Sequence, residues 1–211
     1  MKFLTLVLFL IIFASTHADE SSNATNSIPV VCSNNCNSEY GSVLGASPTG
    51  VTAYSNCNSN CVIFEPNHHE KIYTGIKWQC VEYARRWLLQ EYDVVYGDVE
   101  IAADIWMLSQ VSNPVSEIVY NFKGIVNGAR NLPQRGDLLI YGKEFLGTGH
   151  VAVITEIDIE KKILKVAEQN YANTNWQDDY AREIKYVLDD DRYWLLDAHL
   201  IGWKRVEKIL H

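Results

Sequence analysis

The sequence predicts an α+β domain, with N-terminal helices packed on an antiparallel β-sheet. Two spans of helical spacing, 78–92 and 99–110, come first, and β-rich segments crowd the chain after residue 137. Helices first and strands later suit a segregated, antiparallel architecture. The 211 residues show no internal repeat, and the roughly 190 left after an expected leader suit one domain with a sizeable core.

The elements follow in order. Residues 3–14 are an apolar run too short to span a bilayer. Lys2 precedes it and Thr16-His17-Ala18 follows it, which reads as a secretory signal peptide cut near Ala18, with a membrane anchor as the alternative. Residues 19–31 are polar and predict a flexible tail, in which Asn23-Ala24-Thr25 is an N-glycosylation sequon. Residues 32–75, rich in Gly, Ser, Asn and Pro, predict ordered loops with short extended pieces. In 78–92 apolar Val81, Ala84, Trp87 and Leu88 lie at helical spacing, with charges at Glu82, Arg85 and Arg86. Segment 113–135 reads as loop with a short helix at 117–122. Strands are predicted at 137–141, 150–159, 163–170, 183–188 and 200–206.

The formal net charge is −8, and loss of residues 1–18 removes one further base, Lys2. Such a surface disfavours nonspecific binding to nucleic acid or anionic lipid and tolerates a cationic substrate. Of the five cysteines, Cys32, Cys36, Cys57 and Cys61 form two CxxxC pairs in turn-like sequence. In an exported chain they predict two disulfides, with three connectivities open; a zinc site is the alternative. Cys80 is the odd one.

Cys80 stands at the expected start of the 78–92 helix, where the partial positive charge of the helix end stabilises an anionic sulfur. Gly149-His150-Val151 opens a strand, and Ala167-Glu168-Gln169-Asn170 ends the next. A hairpin loop of three or five residues centred on Ile159 would set His150 directly opposite Glu168 on one face. There Glu168 would orient the imidazole while the other ring nitrogen meets the Cys80 sulfur. Asn170, two residues on, would share that face. Gln79 and the Cys80 N–H are candidate oxyanion donors, and Trp78 is a candidate wall of the cleft. Taken singly, each has a plainer reading: a core cysteine, a capping histidine, a solvated strand charge, and Arg85 and Arg86 as a solvated helix face.

At these residues the chain resembles the CHAP-domain cysteine amidases, a branch of the papain-like group. It is most similar to the amidase domain of glutathionylspermidine and trypanothione synthetase/amidases. The matching pieces are Tyr40-Gly41-Ser42-Val43-Leu44-Gly45, Gly50-Val51-Thr52-Ala53-Tyr54-Ser55, Lys77-Trp78-Gln79-Cys80-Val81-Glu82-Tyr83-Ala84-Arg85-Arg86, Thr148-Gly149-His150-Val151-Ala152, Ala167-Glu168-Gln169-Asn170 and Ile201-Gly202-Trp203. They span about residues 40–206, within a domain expected at 32–211. The resemblance implies a papain-like fold, Cys80 as nucleophile, His150 as base, Glu168 orienting it, Asn170 in support, and Arg85 holding a substrate carboxylate. It implies no cofactor and no metal. The ATP-dependent synthetase half has no counterpart in this sequence. The expectation is a secreted amidase or endopeptidase acting on a small peptide, a peptide–polyamine conjugate or peptidoglycan, with no nucleic-acid partner and no stable membrane anchor. A catalytically silent binding module is the alternative.

Overall fold

A computed structural model describes residues 28–207. The expected leader, the Ala18 cut and Asn23 lie outside the described residues. Two small hairpins come first: Val43–Ala46 (β1) with Thr52–Tyr54 (β2), and Pro66–His69 (β3) with Ile72–Ile76 (β4). The helix Cys80–Tyr92 (α1) follows. The remaining strands are Val95–Tyr96 (β5), Gln110–Ser112 (β6), Val119–Val126 (β7), Leu138–Tyr141 (β8), His150–Asp158 (β9), Ile163–Ala167 (β10), Arg182–Asp189 (β11), Arg192–Leu195 (β12) and Leu200–Glu207 (β13). These nine form one antiparallel sheet in the order β12-β11-β10-β9-β8-β13-β7-β6-β5. The last strand enters between β8 and β7, so its buried Trp203 sits in mid-sheet.

The α+β class holds, but the expected set of N-terminal helices does not. Among the described residues α1 is the one α-helix. Within 99–110 only Ala102–Met107 turns, and it does so as a 3₁₀ helix before β6 begins. The physical reason is a buried ammonium: Lys204 Nζ from β13 donates to the carbonyls of Trp106 and Leu108 and draws them away from α-helical pairing. The short helix expected at 117–122 does not form: residues 119–122 open β7 instead. Asn113 Oδ1 accepts from the N–H groups of Val115 and Ser116, forming a side-chain-closed turn that launches the strand. Val119, Tyr120, Phe122 and Ile125 then favour a pleated surface, and Phe122 and Ile125 are buried.

Helix α1 buries Tyr83, Ala84, Trp87 and Leu88 against the sheet, chiefly on β9. Its first turn carries a charge no water reaches. Glu82 is fully buried, and its Oε1 accepts from Asn67 Nδ2 (2.8 Å), Thr74 Oγ1 (3.0 Å) and Arg86 Nε (2.7 Å). Oε2 accepts from Arg86 Nη2 (3.2 Å) and Gln169 Nε2 (3.1 Å). Arg86 also donates to Thr52 O, so the expected solvated arginine face is interior. One carboxylate therefore ties β3, β4, α1 and the segment after β10 together.

The tail expected to be flexible up to residue 31 ends in a 3₁₀ turn at Val30–Cys32. Two nested disulfides, Cys32–Cys61 and Cys36–Cys57, staple it to the loop after β2, while Cys80 is free. The cysteines form disulfides and not a zinc site, which also resolves the three open connectivities.

Glu82→Ala should lower stability by about 3–5 kcal/mol, because it leaves the Arg86 cation buried without its anion. Thermal and denaturant unfolding check this; a loss below about 1 kcal/mol would show the pair to be dispensable.

Candidate active site

Cys80 is the first residue of α1 and lies at the floor of a cleft of about 420 Å³. His150, the first residue of β9, lines the same cleft. The chain enters β9 through Gly149, whose φ of +72° suits glycine. A Cβ there would stand 2.4 Å from Tyr141 O and 2.9 Å from Ala103 Cβ. His150 pairs with Tyr141 on β8 and is 2% exposed.

The imidazole Nε2 donates to Glu168 Oε2 at 2.9 Å, which leaves Nδ1 for the Cys80 sulfur. The hairpin that brings His150 and Glu168 together differs from expectation. Its loop holds residues 159–162, and a bulge lies between Lys165 and Val166. Val153 therefore faces Ala167, and extending that register sets Glu168 across from Ala152. Positions 150 and 152 share a face, so the pair meets diagonally.

Strand β10 also stops earlier than the expected 163–170, ending at Ala167. Asn170 reaches the site from a left-handed loop position, φ +56°, and not from the strand face. Its Nδ2 donates to Gln79 Oε1 (2.9 Å), and its Oδ1 accepts from Asn56 Nδ2 (3.1 Å). Gln79 spends its amide hydrogens on Asn56 Oδ1 and Cys61 O, both at 3.2 Å. In this geometry Gln79 braces the helix start, and the Cys80 N–H, which has no intrahelical acceptor at that position, is the donor available to an oxyanion.

Trp78 does not line the cleft. Its ring packs on Tyr54 at 4.2 Å between centroids, with Lys77 Nζ 5.6 Å from the Trp78 ring centroid. Arg85 does line it, but is buried and already engaged. It donates from Nη2 to Gly97 O (2.8 Å) and from Nη1 toward Thr74 O (3.5 Å), and its Nη1 pairs with Asp98 Oδ1 (2.8 Å).

Three residues that pattern reasoning missed, Arg182, Asp197 and Tyr141, join the site. Arg182 Nε donates to Glu168 Oε1 (2.7 Å), Nη1 to Asp197 Oδ2 (2.7 Å) and Nη2 to the Tyr141 hydroxyl (2.9 Å). Tyr141 in turn donates to Asp197 Oδ2 (2.7 Å). An arginine opening a β-rich run carries no motif of its own, so only the sheet order, with β11 beside β10, reveals it. The rings of Tyr141, Phe145 and Tyr171 pack around His150 at 5.5, 5.8 and 5.3 Å, and Arg182 stacks on Tyr171 at 4.3 Å.

Burial alone would push the His150 pKa down, but the Cys80 sulfur and the Glu168 carboxylate outweigh it and raise it to about 9. Burial likewise opposes ionisation of Glu168, yet His150 and Arg182 hold its carboxyl below the usual range. This arrangement keeps imidazolium, carboxylate and guanidinium in line through neutral pH. The imidazolium's favourable contribution to folding is complete below its ordinary 6.5 and is lost as pH rises through about 9.

Glu168→Gln removes a group that raises the imidazole pKa. The alkaline limb of kcat/KM, expected near pH 9 in the parent, should therefore move to lower pH. A pH–rate profile checks this; an unmoved limb would show that Glu168 does not set the charge of His150.

Comparisons with known proteins give the chain a family. Residues 71–170 match the CHAP domain model. The chain is 34% identical over 182 residues to the bifunctional glutathionylspermidine synthetase/amidase of Escherichia coli (strain K12), covering 78% of this chain and 29% of that protein. It is 31% identical over 159 residues to the trypanothione synthetase of Crithidia fasciculata, covering 75% of this chain and 24% of that one. The chain thus spans less than a third of the curated relatives it matches.

Proposed function

We propose that this CHAP-domain chain is a cysteine amidase that hydrolyses an amide bond with Cys80 as nucleophile, His150 as acid and base, and Glu168 as the residue that orients His150. The observation that carries this reading is the meeting in one cleft of a free cysteine at a helix N-terminus and a histidine backed by a buried carboxylate. The anionic sulfur attacks the carbonyl carbon, and the developing oxyanion is met by the Cys80 N–H at the positive end of α1. Imidazolium His150 gives its proton to the departing amine, leaving an acyl thioester. A water that returns its proton to His150 then attacks the thioester carbon and releases the acid and Cys80. Glu168, held by Arg182, keeps the imidazole oriented at each step.

The substrate proposed is a peptide–polyamine conjugate of the glutathionylspermidine kind or a peptidoglycan peptide. Arg85 is buried and neutralised by Asp98, and Glu100 is exposed on the same cleft, so the lip favours a cationic leaving group. That charge balance puts the polyamine conjugate first. Two disulfides favour an oxidising compartment, which supports the reading of the protein as secreted. No helix among the described residues is long and apolar enough to cross a membrane.

Cys80→Ala should abolish hydrolysis of glutathionylspermidine and of purified peptidoglycan while the domain stays folded. His150→Ala should lose about 10²–10⁴-fold in kcat, and Glu168→Ala less than His150→Ala. Near-normal turnover by Cys80→Ala would end the proposal.

Iodoacetamide at pH 6 separates an enzyme from a silent binding module. Rapid alkylation confined to Cys80 supports a nucleophile, and alkylation no faster than that of an ordinary thiol supports the module.

A further inference from the structure

We propose that Asp98 is an internal competitor for Arg85: it holds the guanidinium in the empty cleft and must yield it to a carboxylate of the incoming substrate. This goes beyond the proposed function and rests on it, with Arg85 taken as the residue that meets that carboxylate.

The argument begins with an unequal pair. The Arg85 side chain is 4% exposed and that of Asp98 is 77% exposed, with 2.8 Å between Nη1 and Oδ1. Arg85 is fixed from several sides. Its carbonyl partners are Gly97 and Thr74, and its guanidinium carbon lies 4.9 Å from the Tyr96 ring centroid and 5.6 Å from that of Tyr73. Its Nε is buried without a hydrogen-bond partner. Asp98 has no such anchorage. It stands on the loop between β5 and the 3₁₀ helix, and its carboxylate is the one anion paired with Arg85 among the described residues. The cation is built in, and its counter-ion is removable.

A substrate carboxylate arriving from the cleft takes over the neutralisation as Asp98 swings into solvent, so the guanidinium keeps an anion throughout. Arg85 lies five residues past Cys80, about 7.5 Å along the helix axis. A carboxylate several bonds from the scissile carbonyl therefore fits the span. Competition of this kind lowers apparent affinity by the fraction of Arg85 that Asp98 occupies. A half-exposed ion pair is worth about 0–1 kcal/mol, so the masking is at most about fivefold. Glu100 on the same cleft adds repulsion without touching Arg85. The cleft then discriminates against ligands that carry a carboxylate but no amine, through a residue that reaches neither the nucleophile nor the base.

The test is calorimetric binding of S-methylglutathione, which has the carboxylates and no thiol, to the full chain. Asp98→Asn should tighten Kd roughly two- to fivefold, and Asp98→Ala at least as much. Arg85→Ala should weaken binding. The dimethyl ester of the same peptide should show no response to Asp98. Glu100→Gln changes the same charge without freeing Arg85 and should have a smaller effect than Asp98→Asn. Equal affinity in the parent and both Asp98 variants, an equal gain from Glu100→Gln, an ester that responds like the acid, or no binding to any variant would each overturn the inference. Rapid alkylation of Cys80 with no Asp98 effect would leave the proposed nucleophile standing and remove only the competitor. Slow alkylation with a clear Asp98 effect would do the reverse.

Discussion

The site depends on a buried carboxylate that is never alone. Glu168 sits in the interior between the imidazole of His150 and the guanidinium of Arg182, and Arg182 is itself held by Asp197 and the Tyr141 hydroxyl. Removing these charges from water is expensive, and the chain tolerates it because each carboxylate oxygen and each guanidinium nitrogen has a partner. The arrangement draws four strands into one purpose. β8 brings Tyr141, β9 brings His150, β10 delivers Glu168 at its end, and β11 begins with Arg182.

A second polar assembly sets the helix start. Asn56, Gln79 and Asn170 exchange amide hydrogen bonds, and the carbonyl of Cys61 accepts from both Asn56 and Gln79. The disulfides hold that carbonyl in place from the loop side, and the Glu82 cluster holds the first helical turn from the sheet side. The sulfur of Cys80 is thus positioned by backbone fixed on both flanks. Precision of this kind is what a nucleophile needs, since its reaction tolerates little positional freedom.

Much of this was legible in residue order. Helical spacing through Trp87 and Leu88 placed α1 within two residues, and β-rich composition placed most of the later strands. The errors share a cause. The 99–110 segment has apolar spacing that suits a helix, yet Lys204, almost a hundred residues later, claims two of its carbonyls. The 117–122 segment has no local veto on helix, but β6 and β13 lie on either side of it and pair with it. Trp78 looked like a cleft wall by adjacency to Cys80, and the Tyr54 ring on the opposite side captured it. Arg85 and Arg86 looked solvated because a linear sequence shows charge and not the covering layer.

The sequence by itself determined the class of fold, the lone uneven cysteine at a helix start, and the order of Cys80, His150 and Glu168 on successive elements. These are properties of local spacing and residue type, which survive without knowledge of contacts. Tertiary structure decided the disulfide pairing, the loop length and bulge that together set the His150–Glu168 pair diagonally on one face, the recruitment of Arg182 and Asp197, and the occupation of Arg85 by Asp98. Each of those joins residues through strand order or loop packing, and such distances are set by how the whole sheet closes and not by any neighbouring residue in the chain.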